Sequence, residues 1–164
     1  MAKLHGPSLA PKAGGPPRQL VVLLHGVGAD GHDLIGLAPM LAERLPHALF
    51  VAPDGPEPCD MAPYGRQWFS LQDRRPAVML AGARRTAPLL DTYLDELLQQ
   101  HGLDESRMAL VGFSQGTMMS LFAGPRRPRP LAAILGFSGA LLGAQELPHE
   151  FRSRPPVMLI HGDA

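Results

Sequence analysis

This sequence has one cysteine, no excess of either charge and no apolar run long enough to cross a membrane. Its 15 basic and 15 acidic residues cancel, so electrostatics gives no reason to expect nucleic acid or an anionic membrane as the main partner. Cys59 alone cannot form an intramolecular disulfide, which favours a reducing compartment. Because the N-terminus lacks a secretory signal pattern, we expect a cytoplasmic protein without stable membrane insertion.

The length of 164 residues suits one sizeable hydrophobic core, so we expect a single domain over residues 1–164. Five apolar runs stand out, and they are continuous rather than alternating. Continuous apolar runs are typical of strands covered on both faces, as in a parallel sheet. The runs are residues 20–24, 48–52, 108–111, 131–135 and 157–160.

Helical spacing of apolar residues fills the intervals between the runs. Leucines recur over residues 34–45, with Asp33 as a candidate N-cap. The longest stripe covers residues 83–98, where Pro88 is a candidate first-turn residue, and a third helix is predicted over residues 117–123. This alternation predicts a doubly wound, mostly parallel α/β sheet with helices on both faces.

Neither the arginines nor the histidines form a recognisable ligand site. Arg126, Arg127 and Arg129 are separated by prolines, a pattern that favours a solvated loop after a helix. The seven histidines show no metal-ligand spacing, so no metal site is predicted.

The motif GFSQG at residues 112–116 is the strongest functional signal. Ser114 stands between Gly112 and Gly116, after a buried-strand run and before a helical run. A serine on a sharp strand-to-helix turn presents its hydroxyl above the sheet edge, and side chains at the glycine positions would collide with neighbouring backbone. The motif therefore predicts a nucleophile elbow with Ser114 as the nucleophile.

A second glycine motif competes with this interpretation. The turn after the first run contains G-x-G-x-x-G at Gly26, Gly28 and Gly31, and Asp54 follows a little over twenty positions later. That arrangement is the fingerprint of a dinucleotide-binding protein. However, Asp54 follows a proline in a proline-rich loop, and nucleotide binding leaves GFSQG unexplained.

A hydrolase interpretation explains both motifs and is favoured over nucleotide binding. Glycines after the first core strand allow the backbone N–H of Val27 to point into the site. There it can join the N–H of Gln115 as an oxyanion hole.

Five segments in matching order resemble the phospholipase/carboxylesterase family of α/β-hydrolases, which includes bacterial carboxylesterases and acyl-protein thioesterases. They are LVVLLHGVGADGHDL, RQWFSL, LVGFSQGTMM, ILGFSGALL and VMLIHGDA. The resemblance implies an α/β-hydrolase fold with Ser114 as nucleophile, the N–H groups of Val27 and Gln115 as oxyanion hole, and Trp68 beside the acyl site. Met61 and Phe113 are further candidates for an apolar wall.

The resemblance also implies a reaction and its substrates. We expect cleavage of carboxylic esters or thioesters through an acyl-enzyme, without a cofactor. The expected substrates are small-molecule esters, lysophospholipids or acylated proteins; nothing in the sequence marks an oligomeric interface.

The family pattern departs from this sequence at its C-terminal end. By the resemblance, the triad aspartate and histidine follow the HGDA segment, so we expect both beyond Ala164, together with the last strand and helix. Asp163 is a candidate stand-in acid, whereas His25 and His161 are expected to be structural. An alternative is therefore an incomplete fragment or pseudoenzyme that at most binds acyl ligands.

Overall fold

The computed structural model describes residues 2–163 and contains eight strands and five α-helices within that range. The strands are β1 (Ser8–Leu9), β2 (Gln19–Leu24), β3 (Ala48–Val51), β4 (Glu57–Pro58), β5 (Arg66–Gln67), β6 (Met108–Phe113), β7 (Ala133–Phe137) and β8 (Val157–Ile160). The helices are α1 (Gly31–Ile35), α2 (Ala38–Ala42), α3 (Pro76–His101), α4 (Gln115–Arg126) and α5 (Leu147–Glu150), with a 3-10 turn at Glu105–Arg107.

The central sheet has the strand order β1-β3-β2-β6-β7-β8, and only the short β1 is antiparallel to its neighbour. Strands β4 and β5 form a separate small hairpin. Each of the five apolar runs forms a strand of the central sheet, as predicted. The fourth run was predicted two residues early, because Leu131 packs in the core while the N–H of Ala132 bonds to the carbonyl of Met108 outside the ladder.

Helices lie on both faces of the sheet, which confirms the predicted doubly wound arrangement. Helices α3 and α4 cover one face and enclose the larger core with β2, β6 and β7. On the other face, α1 and α2 pack over β2 and β3, where Val21, Leu23 and Phe50 are buried. None of the described helices is both long enough and apolar enough to span a bilayer.

The predicted start of the longest helix was wrong. Helix α3 begins at Pro76, whose ring suits the first turn, and continues through Pro88. An internal proline costs about 3 kcal/mol. Burying each leucine of the stripe that includes Leu90 and Leu94 contributes about 1.5–3 kcal/mol, so packing outweighs the lost hydrogen bond.

The first helical segment is also different from the prediction. It is divided into α1 and α2, and its N-cap is Asp30 rather than Asp33. The carboxylate of Asp30 accepts a hydrogen bond from the N–H of Asp33, and the carboxylate of Asp33 accepts one from the N–H of Asp30. This reciprocal pair is a capping box.

The arginine cluster is only partly the solvated loop that its prolines predicted, since Arg129 is exposed after α4 but Arg126 and Arg127 are not. Arg126 ends α4, and the guanidinium of Arg127 is buried. Arg127 binds the carboxylates of Asp91 at 3.1 Å, Asp95 at 2.6 Å and Glu105 at 3.3 Å. Three carboxylates compensate the cost of burying this charge, so the cluster helps fix α4 against α3.

Candidate active site

The turn between β6 and α4 holds Ser114 in an uncommon backbone conformation. Its φ of 53° and ψ of −112° lie outside the regions that non-glycine residues prefer. The N–H of Ser114 donates a 2.8 Å hydrogen bond to the carbonyl of Phe137 on the neighbouring strand. The residue is half-buried, so the fold maintains a strained serine that ligands can still reach.

The two glycines of GFSQG are required by close backbone contacts. A Cβ at Gly116 would lie 1.9 Å from the carbonyl oxygen of Leu24, and a Cβ at Gly112 would lie 2.5 Å from the nitrogen of Thr117. Both separations are far below van der Waals contact. The prediction that side chains would collide with backbone at these positions is confirmed.

The glycine turn after β2 lies directly against the serine. A Cβ at Gly26 would be 3.2 Å from the Cβ of Ser114. Within residues 2–163, neither the N–H of Val27 nor that of Gln115 donates a hydrogen bond. Gln115 is the first residue of α4, where the helix dipole concentrates positive potential. Two unused donors therefore flank the serine, on the segments that were predicted to form an oxyanion hole.

Buried side chains connect the segments that carry these donors. The side chain of Gln115 accepts a 2.9 Å hydrogen bond from the N–H of Trp68 and donates one of 2.7 Å to the carbonyl of Phe69. The indole N–H of Trp68 donates to the carbonyl of His25 at 2.9 Å. The side chains of Gln115 and Trp68 are fully buried, so the network is shielded from water and joins the segments that carry the two donors.

His25 extends the same network to the loop after β3. Its Nε2 accepts a 2.8 Å hydrogen bond from the N–H of Gly55, and its Nδ1 lies 2.7 Å from the carbonyl of Gly26. Burial lowers the pKa of His25 below its ordinary value, a shift that the carbonyl of Gly26 and the nearby carboxylates partly oppose.

The β4–β5 hairpin holds the glycine turn from its outer side. The carbonyl of Arg66 accepts a hydrogen bond from the N–H of Gly28, and the N–H of Arg66 donates to the carbonyl of Ala29. The guanidinium of Arg66 also donates to the carbonyl of Gly55. Sequence analysis did not find Arg66 or the role of the Gln115 side chain, because no local pattern marks partners this distant along the chain.

The structure corrects the expectation for Trp68. Its side chain has no accessible surface, and its indole N–H is occupied by the carbonyl of His25. A side chain without surface cannot form the wall of an acyl pocket. Trp68 therefore holds the main chain at His25, just before the glycine turn, and its expected position beside the acyl site stays a prediction.

Met61 and Phe113, the other candidates for an apolar wall, do present surface. Met61 lies on the loop between β4 and β5 and is 52% exposed. Phe113 ends β6 and is 51% exposed. Phe113 lines an apolar hollow of about 310 Å³ on the sheet face beside α2, together with Leu37 and Leu135.

No base is bonded to the serine within residues 2–163. The hydroxyl of Ser114 makes no hydrogen bond to another described residue, and His161 uses its Nε2 on the carbonyl of Gly139 at 2.9 Å. Asp163 is exposed at the end of β8 and is hydrogen-bonded to none of the other described residues, so its role as a stand-in acid stays a prediction.

The dinucleotide interpretation disagrees with the start of α1. Asp54, the candidate ribose ligand, accepts a 2.8 Å hydrogen bond from the N–H of Gly31. Asp30 caps the same five-residue helix. Two carboxylates thus occupy the helix terminus that would have to bind a pyrophosphate, and they would repel it.

Residues 9–164 match the model of the phospholipase/carboxylesterase family. The esterase YpfH of Escherichia coli K12 is 32% identical over 154 residues, which cover 90% of this chain and 62% of the relative. Acyl-protein thioesterase 1 of Neurospora crassa is 28% identical over 160 residues, 88% of this chain and 65% of the relative. The chain thus spans less than two thirds of the length of these curated relatives.

Solved structures agree with the fold. The crystal structure of esterase PE8 superimposes with a TM-score of 0.94 at 46% identity, covering 99% of this chain and 76% of that one. Arabidopsis thaliana SOBER1 gives a TM-score of 0.67 at 20% identity, over 88% of this chain and 74% of that one, which bears on the fold alone. The chain has the α/β-hydrolase fold.

Proposed function

Because the chain belongs to the phospholipase/carboxylesterase family, we propose that it is a serine hydrolase that cleaves carboxylic esters or thioesters through an acyl-enzyme on Ser114. One observation carries the proposal. Ser114 occupies a strained, half-buried turn, and the unused N–H groups of Val27 and Gln115 lie on the two segments beside it.

The proposed reaction uses these groups in two steps. The oxygen of Ser114 attacks the carbonyl carbon as its proton passes to a base, and the tetrahedral oxyanion is held by the N–H groups of Val27 and Gln115. Each such donor contributes about 3–4 kcal/mol, because the charge develops only in the transition state. The C–O or C–S bond then breaks, and the leaving group takes the proton. Water hydrolyses the acyl-enzyme by the reverse sequence.

The base and the acid of this mechanism are proposed to lie outside the described residues. Within residues 2–163 the hydroxyl of Ser114 has no histidine partner, whereas serine hydrolases of this fold use a histidine after the nucleophile and the acid. The same observation favours a second candidate: a protein that binds acyl ligands at the elbow and does not turn them over. Loss of the base lowers turnover by about a million-fold in a serine protease.

The substrate class is taken from chemistry and from the relatives. Esterase YpfH and acyl-protein thioesterase 1 are named for ester and acyl-protein cleavage. We propose small esters, lysophospholipids or acylated proteins as substrates, with the exposed Phe113 and Met61 near the acyl chain. A cytoplasmic location is part of the same proposal.

A matched pair of serine variants tests the assignment. Ser138 follows β7 as Ser114 follows β6; it also has a positive φ, of 50°, and its N–H bonds to the next strand at Ile160. With p-nitrophenyl butyrate as substrate, Ser114→Ala should abolish hydrolysis above the background rate, and Ser138→Ala should leave the rate unchanged.

The same assay separates the two candidate functions. Equal rates for the unmodified chain and Ser114→Ala would mean that Ser114 performs no hydrolysis in this 164-residue form. Saturable binding of a butyrate ester measured by calorimetry, without turnover, would then support the acyl-binding protein.

A further inference from the structure

His25 is a buried titratable residue that takes no direct part in the proposed chemistry. Its ring is sandwiched between two backbone segments, since Nε2 binds the N–H of Gly55 and Nδ1 faces the carbonyl of Gly26. The main-chain carbonyl of His25 also accepts a hydrogen bond from the indole N–H of Trp68, and the centroids of the two rings lie 5.4 Å apart. Three segments of the site therefore meet at this one residue.

The hydrogen-bond pattern determines the protonation state of the ring. A backbone N–H can only donate, so the N–H of Gly55 requires an unprotonated Nε2. The carbonyl of Gly26 can only accept, so the single proton must be on Nδ1. A doubly protonated ring would place the Nε2 proton against the N–H of Gly55, so this conformation admits only neutral histidine.

We propose that neutral His25 is the positioning residue of the glycine turn, which carries the N–H of Val27. Its protonation detaches the Gly55 loop and loosens this turn. The inference rests on the proposed function for its catalytic meaning. Its structural part concerns only the ring, the Gly55 loop and the glycine turn.

Charged groups from each neighbouring segment act on the ring. Asp54, from the loop after β3, and Asp30, from the glycine turn, favour protonation, whereas Arg66 of the hairpin opposes it. Desolvation is the largest influence and keeps the ring neutral. Protonation therefore requires a pH below the ordinary range of histidine, and it removes the bond that joins the loop to the turn.

Trp68 provides a direct readout, because it is the only tryptophan in the sequence and lies against the His25 ring. Protonated imidazole quenches indole fluorescence more strongly than neutral imidazole. Trp68 emission should therefore fall reversibly as the pH is lowered from about 8 to about 4.5, with a midpoint below that of a free histidine. His25→Gln keeps an acceptor near Gly55 and cannot titrate, so its emission should stay constant.

Nuclear magnetic resonance of the 15N-labelled chain tests the geometry without any substrate. At neutral pH the His25 ring should be the Nδ1–H tautomer. The protection of the Gly55 amide, measured relative to the intrinsic exchange rate at each pH, should fall about tenfold on acidification, as expected for the loss of one hydrogen bond. His161→Gln, at an exposed histidine bonded to the carbonyl of Gly139, is the matched control and should leave both signals unchanged.

The possible outcomes are distinct. An Nε2–H tautomer, or Trp68 emission that is constant over this pH range in the unmodified chain, would overturn the inference. If His25→Gln does not fold, the tautomer measured in the unmodified chain still tests the inference. If esterase turnover is detectable, kcat should fall with the Trp68 titration while KM stays constant. Absence of turnover would bear on the proposed function alone and leave the spectroscopic test intact.

Discussion

The surroundings of Ser114 and the edge strand β8 belong to one sheet but differ in burial. Around the serine, His25, Trp68 and Gln115 are fully buried, and each is hydrogen-bonded to another segment. All four residues of β8 are exposed, by 39% to 59%. Parallel strands are normally covered on both faces. The part of the candidate site formed by β2 and β6 is therefore preorganised within residues 2–163, whereas the edge at β8 lacks that support.

Adding one methyl group at a glycine should give the largest difference in unfolding free energy between the two regions. In Gly116→Ala the new Cβ would meet the carbonyl oxygen of Leu24 at 1.9 Å, whereas a Cβ at Gly162, after β8, meets nothing within 4 Å. We expect Gly116→Ala to lower the free energy of unfolding by about 3 kcal/mol or more, and Gly162→Ala to leave it unchanged. Urea denaturation measures the unfolding free energy of both variants. Equal losses of stability would contradict the difference in packing between the two regions.

Leucine truncation compares the packing of the same two regions. Leu110 of β6 has no exposed surface, and Leu159 of β8 is 55% exposed. Leu110→Ala should cost about 3 kcal/mol because it opens a cavity, and Leu159→Ala should cost less than about 0.5 kcal/mol. Thermal unfolding followed by circular dichroism gives both values. A loss at Leu159 similar to that at Leu110 would mean that β8 is covered in solution.

Acid should destabilise the buried region through His25. Its pKa is lowered in the folded state by burial, so the unfolded chain takes up the proton first as the pH falls. Stability should therefore decrease between the ordinary histidine pKa and the lowered one, by up to about 1.4 kcal/mol per pH unit. Urea titrations at several pH values give the unfolding free energy as a function of pH, and this pH dependence should be weaker for His25→Gln. Replacement of the exposed His161 by Gln serves as the control. An unchanged pH dependence in His25→Gln would contradict the attribution of the acid effect to His25.

Sequence patterns predicted the strands and the elbow well, because both depend on local signals. Continuous apolar runs predicted five strands of the sheet, and the glycines around Ser114 stand where an added Cβ would lie 1.9 Å and 2.5 Å from backbone atoms. Pro88 was misinterpreted because the local cost of an internal proline is smaller than the burial of the stripe around it.

The errors at Arg127 and Trp68 have a different cause, since each depends on partners far along the chain. The carboxylates that bind Arg127 lie 22 to 36 residues earlier in the sequence. The carbonyl that binds the Trp68 indole lies 43 residues earlier. The Trp68 side chain has no accessible surface, and that long-range hydrogen bond sets its direction. The buried network behind the glycine turn was missed for the same reason.

The smallest effect on stability, and the clearest effect on association, should come from a charge on the edge strand. Met158 is 59% exposed on β8, and Met61, on a loop, is 52% exposed. An unpaired apolar edge strand favours pairing with another chain, and lysine at such an edge opposes it. Met158→Lys should change the unfolding free energy by less than about 0.5 kcal/mol and reduce concentration-dependent light scattering. Met61→Lys should leave the scattering unchanged; if both variants reduce it equally, net charge rather than the β8 edge governs association.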